Sequence, residues 1–406
     1  MSKRPRYMSP FPALELSHED SQQLQNIAQL FVQDTIAQYE QYLHAERRTV
    51  ENDRWKHELQ KENVRVYSER RPKKRTSQER SYLPAHSMGN DIPTLLVVGT
   101  IDGLLHDAMY GAVNPTVDSL RVKTSYVDDN VVNAAVLATI VTPTPADPFR
   151  SMSIKWIEIG QPLHIRMVVK NRDMVYLEST GMTQLANGER VGYQLLHSVH
   201  FPHTHPLEAT TRGNMSVCAL YRQDDPTAVD LYVKAYLSPS EGVMRAAIVK
   251  SGAEALVSPW RYVHCGRMKK LAWAVQQRKE SSGTSRGRLN TKLSDDGSKL
   301  SETSSCSSSG ICEACDKQSY RFLKSRVRVC VLCEQSVCSA CTVKKQLSHV
   351  ASNGKLQQQE VLLCQQCVHG VTIETDAMKA ARDELGARAL FENSDMSTDD
   401  SYTSEY

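Results

Sequence analysis

The chain has 406 residues, 40% of them hydrophobic, and a formal net charge of +3. That length accommodates two domains plus linkers, and so small a charge argues against a generally basic nucleic-acid coat. No run of ~18 apolar residues occurs and no apolar core follows "MSKRPRYMSPFPALEL", so neither a transmembrane helix nor a signal peptide is expected. The expected location is intracellular, cytoplasmic or on the periphery of endomembranes.

An N-terminal segment, 1–50, carries an amphipathic helix. Leu24, Ile27, Ala28, Phe31, Tyr39 and Leu43 recur at helical spacing across 17–45, and Ser17 is placed to cap it. Next comes "VRVYSE", which alternates as a strand. The basic run Arg70, Arg71, Lys73, Lys74, Arg75 reads as a solvated loop, with nuclear localisation as the competing reading. Over 91–278 strand-like and helix-like segments alternate. "TLLVVGTIDGLL" is strand then turn, "HIRMVVKNRDMVYLEST" is two strands about Asn171, and "RVGYQLLHSVHF" is another strand. "GVMRAAIVKSGAEALV" and "PWRYVHCGRMKKLAWAV" are helical, with Ser258-Pro259 as N-cap and N1 between them. Strands closed by a long terminal helix predict an α+β domain. Ser dominates 279–310, a flexible linker, and 371–406 reads as an acidic, disordered tail.

Eleven cysteines need a reason where thiols stay reduced, and eight of them lie between Cys312 and Cys367. They form four C-x-x-C pairs: Cys312/Cys315, Cys330/Cys333, Cys338/Cys341 and Cys364/Cys367, separated by 14, 4 and 22 residues. Such a turn brings two thiolates to a common point and two turns complete a tetrahedron, so eight ligands predict two Zn²⁺ ions. With no coordination position left open, both sites read as structural. Four residues are too few for pairs two and three to close one site without strain. Pairs one and three are therefore expected at one ion, and pairs two and four at the other.

This order of pairs resembles the FYVE zinc finger, over 311–370. The resemblance implies Cys312, Cys315, Cys338 and Cys341 at one zinc and Cys330, Cys333, Cys364 and Cys367 at the other; Phe322 also matches. The family's phosphoinositide-binding run has here become "RVRVCV", Arg326 to Val331, without the His pair and the final Arg. The family's Trp-x-x-Asp is absent before Cys312, and its Gly after the fourth cysteine is Glu334. Arg326 and Arg328 alternate with valines, as on a strand with one wet face. With Lys324, Arg321, Lys344 and Lys345 they are the candidates for meeting anionic headgroups. A RING finger is the rival, although no His stands among the ligand positions.

The segment 51–278 resembles a START-like lipid-binding domain. "WKHELQKENVRVYSER" is similar to its opening helix and first strand, and "VVGTIDGLLHDAMYG" to the next strand and helix. "NRDMVYLES", with Arg172-Asp173, and "HSVHFPHTHP" are similar to its later strand motifs. The resemblance implies a helix-grip fold: a curved antiparallel sheet around a long C-terminal helix, with an apolar tunnel closed by helices spanning 243–275. Arg172 and Asp173 read as a structural pair. No catalytic set emerges. The four histidines between His197 and His205 sit among prolines, His264-Cys265 are adjacent and point apart on a helix, and "GTIDGLL" lacks a phosphate loop's Lys. The expectation is a non-enzymatic adaptor that binds a lipid or membrane surface, a phosphoinositide included, or a protein partner. The alternative is a ubiquitin-ligase-type finger with a START-like arm; nucleic acid is not expected.

Overall fold

The computed structural model describes residues 7–70, 92–127, 129–160, 170–238, 245–285, 312–316, 328–351 and 353–396, with side chains except at 282–285 and 388–396. Two compact units form: Met1–Gly266 together with Ala377–Tyr406, and Arg267–Asp376. The basic run from Arg71 to Arg75, most of the Ser-rich linker, and Arg321, Phe322, Lys324 and Arg326 lie outside the described residues, as does the first arm of the pair about Asn171.

The first unit opens with helix α1, His18–Glu40, which continues as a π-turn, Gln41–Ala45. Ser17 caps it through a capping box: its hydroxyl accepts from the Asp20 N–H while the Asp20 carboxylate accepts from the Ser17 N–H. Leu24, Ala28, Phe31, Val32, Thr35 and Tyr39 form the buried stripe. Ile27, at the stripe's edge, is instead 39% exposed.

The strands β1 Trp55–Lys61, β2 Val64–Glu69, β3 Thr94–Asp102, β4 Val131–Val141, β5 Ser151–Ile159, β6 Asn171–Gln184, β7 Arg190–Ser198, β8 Thr210–Arg212, β9 Met215–Asp225 and β10 Ala228–Leu237 form one sheet. Its order is β1-β2-β3-β10-β9-β7-β6-β5-β4 with antiparallel neighbours; short β8 pairs parallel to β6. "WKHELQ", expected as a helix, is strand β1. A tight turn with Glu62 at φ +50° folds it onto β2, pairing Lys61 with Val64, and Trp55 is buried at its far end. Pairing satisfies every second backbone group of a segment whose apolar residues are too sparse for a helical stripe.

Helices α2 Leu105–Ala112, α3 Val117–Val127, α4 Arg245–Leu256 and α5 Tyr262–Ser285 follow in chain order, with a 3-10 turn, Ser258–Arg261, before α5. The architecture is thus α+β, an antiparallel sheet followed by a long C-terminal helix, as the START-like resemblance implies. Alternation divides the sheet into two faces. Leu96, Ile154, Trp156, Leu177, Leu195, Leu220 and Tyr232 join the α1 cluster. The opposite face meets α2 and α4: a Cβ on Gly192 would strike Met109 and Leu105, and one on Gly252 would strike Leu237 and Leu95. The start of α5 crosses α2 closely enough that a Cβ on Gly111 would lie 2.0 Å from the Tyr262 carbonyl, and one on Gly266 2.0 Å from the Asp107 carbonyl.

The division between the units falls inside α5, which also runs seven residues past the expected linker boundary. The second unit adds β11 Arg328–Val329, β12 Ser336–Val337, the hairpin β13 Thr342–Val350 and β14 Leu356–Cys364, helix α6 Gln365–His369, and a π-turn, Gly370–Glu374. The acidic tail read from 371 is not disordered throughout, since helix α7 spans Ala377–Met396. Its opening "AMKAARDELGARA" is rich in strong helix formers, and Ala377, Ala380 and Ala381 are buried. α7 packs with α2 inside the first unit.

Candidate functional site

The second unit gathers its eight paired cysteines into two groups. Cys312, Cys315, Cys338 and Cys341 form one and Cys330, Cys333, Cys364 and Cys367 the other, the ligand atoms of each lying within 4.8 Å of one another. Local turns explain the arrangement. After Cys315 and Cys333 the chain turns left-handed, with Asp316 at φ +52° and Glu334 at φ +60°, and each donates back, to the Cys312 carbonyl (2.8 Å) and the Cys330 carbonyl (2.8 Å). Glu334 stands where the FYVE resemblance places Gly, and it takes the backbone conformation that Gly adopts at least cost. Pairing of Thr342 with Cys364 across the hairpin joins the last pair to the third.

The donor chemistry fits a thiophilic ion. The Cys338 N–H donates to the Cys312 sulfur and the Cys364 N–H to the Cys330 sulfur, each at 3.2 Å. Burial alone would push these thiols up. Backbone donors outweigh it at Cys312, brought down to about 6, and at Cys330, to about 7, while neighbouring sulfurs push Cys341 up and burial pushes Cys333 and Cys367 up. Each four-cysteine group could hold one metal ion, and sulfur sets of this kind suit zinc. His349 and His369 join neither group; His369 lies 3.3 Å from Glu374 at the surface.

Of the headgroup candidates, Arg328, Lys344 and Lys345 are described: Lys344 pairs with Glu360 at 2.7 Å across the hairpin, and Arg328 sits half-buried in β11. The wet face is the other one: Val329 is 45% and Val331 38% exposed. Cys330 turns inward to its partners; alternation along β11 puts Arg328 on that side and Val329 outward, and Val331 is exposed in the turn that follows.

In the first unit, Arg172 and Asp173 do not pair. Adjacent strand residues face opposite ways, so Arg172 reaches the Ser251 hydroxyl while Asp173 is fully buried. The Arg212 guanidinium donates twice to one Asp173 oxygen, at 2.9 and 2.8 Å, and the Trp156 indole and Thr210 hydroxyl also donate to the carboxylate. The histidine stretch is likewise structural. His197 is buried against the Phe31 ring, 4.4 Å between centroids, with Nδ1 3.1 Å from the Ser216 hydroxyl. Burial, with His200 nearby, lowers its pKa to about 4. Since 4 lies below the ordinary 6.5, the folded state favours neutral imidazole. This contribution is whole above pH 6.5 and is lost as pH falls from there towards 4. The stability of wild type relative to His197→Leu should therefore drop by about 3 kcal/mol between pH 7 and pH 4 in paired urea titrations. A pH-independent difference would refute the burial account.

The sheet face that meets α2 carries polar groups that the sequence reading missed. Lys155 is fully buried and donates to Glu178, to the Asn114 carbonyl (2.5 Å) and to Asn114 Oδ1 (2.8 Å); Gln194 donates to Glu178 at 2.8 Å. Burial pulls the Lys155 amine down and the Glu178 charge opposes it. Nearby, Lys123 pairs with Asp129 at 3.0 Å and lies over the Tyr262 ring. On the same sheet face, the buried hydroxyls of Ser153 and Tyr221 have no hydrogen-bond partner among the described residues. A lysine inside the apolar run "SIKWIEI" was the available signal. On the other face a cleft of about 260 Å³ opens between α1 and strands β5 to β7, bordered by Gln25, Gln29, Val32, Met152, Thr183 and Tyr193.

Among the described residues, no helix is long and apolar enough to cross a membrane. No protein-family model matches the chain, and no curated protein matches it. Among solved structures it is similar to human STARD10, at 12% identity and a TM-score of 0.38, covering 67% of this chain and 88% of that one. It is also similar to human StAR-related lipid transfer protein 5, at 15% and 0.39, covering 59% and 97%. A third is the lipid transfer and protein localization domain of human StarD13 (DLC2), at 12% and 0.37, covering 62% and 98%. At such scores the likeness carries no conclusion about ligand or partner.

Proposed function

We propose that the chain is a non-enzymatic lipid-binding adaptor, in which the ten-stranded unit accepts an amphipathic ligand and a zinc-stabilised, FYVE-like finger docks on a membrane or a protein. The Ser153 and Tyr221 hydroxyls carry this reading. Buried polar groups are nearly always satisfied, so two without partners among the described residues on the sheet face that meets α2 suit a ligand that brings its own polar atoms. The Lys155–Glu178 network, satisfied by its own members, supplies a fixed polar end to that face.

The expected result is a lipid that co-purifies with the full chain, seen by native mass spectrometry and identified after extraction. Its absence from protein expressed in two different hosts would remove the ligand half of the reading. For the finger, the outward Val329 and Val331 replace the side chains through which the resemblance implies headgroup binding. Flotation of the full chain with vesicles is accordingly expected not to depend on phosphatidylinositol 3-phosphate. A steep dependence on that lipid would restore the headgroup reading, and ubiquitin transfer from a charged conjugating enzyme would favour the RING alternative instead.

A further inference from the structure

The second metal group is attached to the long helix in a way that the first is not among the described residues. Cys364 caps α6, accepting the Cys367 N–H, so two of the four ligands belong to the first turn of this helix. At its far end α6 passes into the π-turn Gly370–Glu374, where carbonyl groups run out of helical partners. The amine of Lys270, on α5, reaches these carbonyls: it donates to Thr372 at 2.9 Å and to Thr375 at 2.8 Å. Lys270 is fully buried. A lysine is rarely buried unless its donors are used, and a cation at a helix C-terminus is favoured by the carbonyl dipoles. Further along α5, Arg278 lies 3.0 Å from Glu334, the residue directly after Cys333. That exposed pair contributes little energy, but it touches the remaining pair of the same group. Both halves of the Cys330/Cys333/Cys364/Cys367 group are thus flanked by contacts from one helix.

We infer that Lys270 is a positioning residue for the second metal group, so that occupancy of that group and order in residues 267–281 of α5 form one equilibrium. The inference rests on the zinc reading of the two cysteine groups. Lys270 fixes the π-turn that continues α6, and α6 fixes where Cys364 and Cys367 present their sulfurs. With the ion gone, mutual repulsion of the thiolates loosens the start of α6, and the carbonyls that hold Lys270 lose their fixed place. Groups that orient metal ligands from outside the coordination sphere commonly change affinity by about 10–100-fold.

The test is zinc release from the full chain to a chromophoric chelator, with zinc content measured beforehand. Wild type is expected to carry two equivalents. Lys270→Met, which keeps the length and loses the donor, should release one equivalent at about tenfold lower chelator concentration and leave the other unchanged. Lys270→Gln, retaining a donor, should recover part of the loss. A general packing defect would weaken both equivalents or neither. Because the Met variant could misfold, hydrogen exchange of wild type supplies the second measurement: chelation should strip protection from 267–281 while β9 and β10 keep theirs. Unchanged release of both equivalents from a folded variant, or a helix still protected after chelation, overturns the inference while the zinc reading stands. A wild type that binds no zinc overturns both.

Discussion

Removing zinc is expected to unfold residues 312–376 and leave the ten-stranded sheet folded. Among the described residues the second unit has few large apolar side chains in its interior: Val337, Leu347, Val361 and Leu363 are the buried aliphatics there outside α5. Its strands β11 and β12 are two residues long, and its turns converge on the cysteines. A core of that size does not offset the chain entropy of so many residues, whereas a structural zinc site supplies about 10–16 kcal/mol at neutral pH. The first unit draws on a continuous core from α1 across the sheet, and among the described residues no group of potential metal ligands falls in it. Hydrogen exchange of the full chain with and without chelator should show β13 and β14 losing all protection while β3, β9 and β10 keep theirs. Cys330→Ser, at a fully buried position of the second cysteine group, should lose at least one equivalent of zinc and part of that protection. A single cooperative transition, in which the sheet unfolds along with the finger on chelation, would defeat the two-unit account.

The second large effect belongs to the crossing of α2 and α5. Gly266→Ala should destabilise the ten-stranded unit by at least about 3 kcal/mol, and Gly111→Ala by a similar amount. At both positions the added carbon would lie 2.0 Å from a backbone carbonyl oxygen of the other helix, and backbone cannot rotate aside as a side chain does. The helices must separate, opening the packing around buried Ala108, Ala112, Val263 and Cys265. Gly386→Ala is the control: nothing stands within 4 Å of its added carbon, and alanine improves a helix interior, so stability should stay level or rise by up to about 1 kcal/mol. Urea titrations of the three variants measure this directly. A Gly266→Ala protein within 1 kcal/mol of wild type would show that the crossing is looser than these distances require.

Part of this protein could be read from its residues in order. The eight cysteines followed from spacing, because a C-x-x-C turn closes locally, and their interleaving from the short four-residue gap together with the FYVE resemblance. Ser17 announced the start of α1 because a capping box involves only four consecutive residues. Strands β2, β3, β6 and β7 followed from alternation, a property of each strand by itself, whereas β4, β5, β8, β9 and β10 were not read from the sequence. Other features depended on residues distant in the chain. Asp173 finds Arg212 rather than its neighbour Arg172, because alternation sends adjacent side chains to opposite faces and only the pairing of β6 with β8 brings Arg212 alongside. "WKHELQ" becomes a strand because β2 lies next to it, and the Ala-rich run after 376 is held as a helix with α2 to pack on. The outward turn of Val329 follows from Cys330 having to face Cys364, thirty-four residues away. Spacing and local capping thus gave the two cysteine groups, the start of α1 and several of the strands. Tertiary packing decided which charges pair, which valines meet solvent and where the long helix stops serving one unit and begins serving the other, since burial and charge pairing are properties of what surrounds a residue in space.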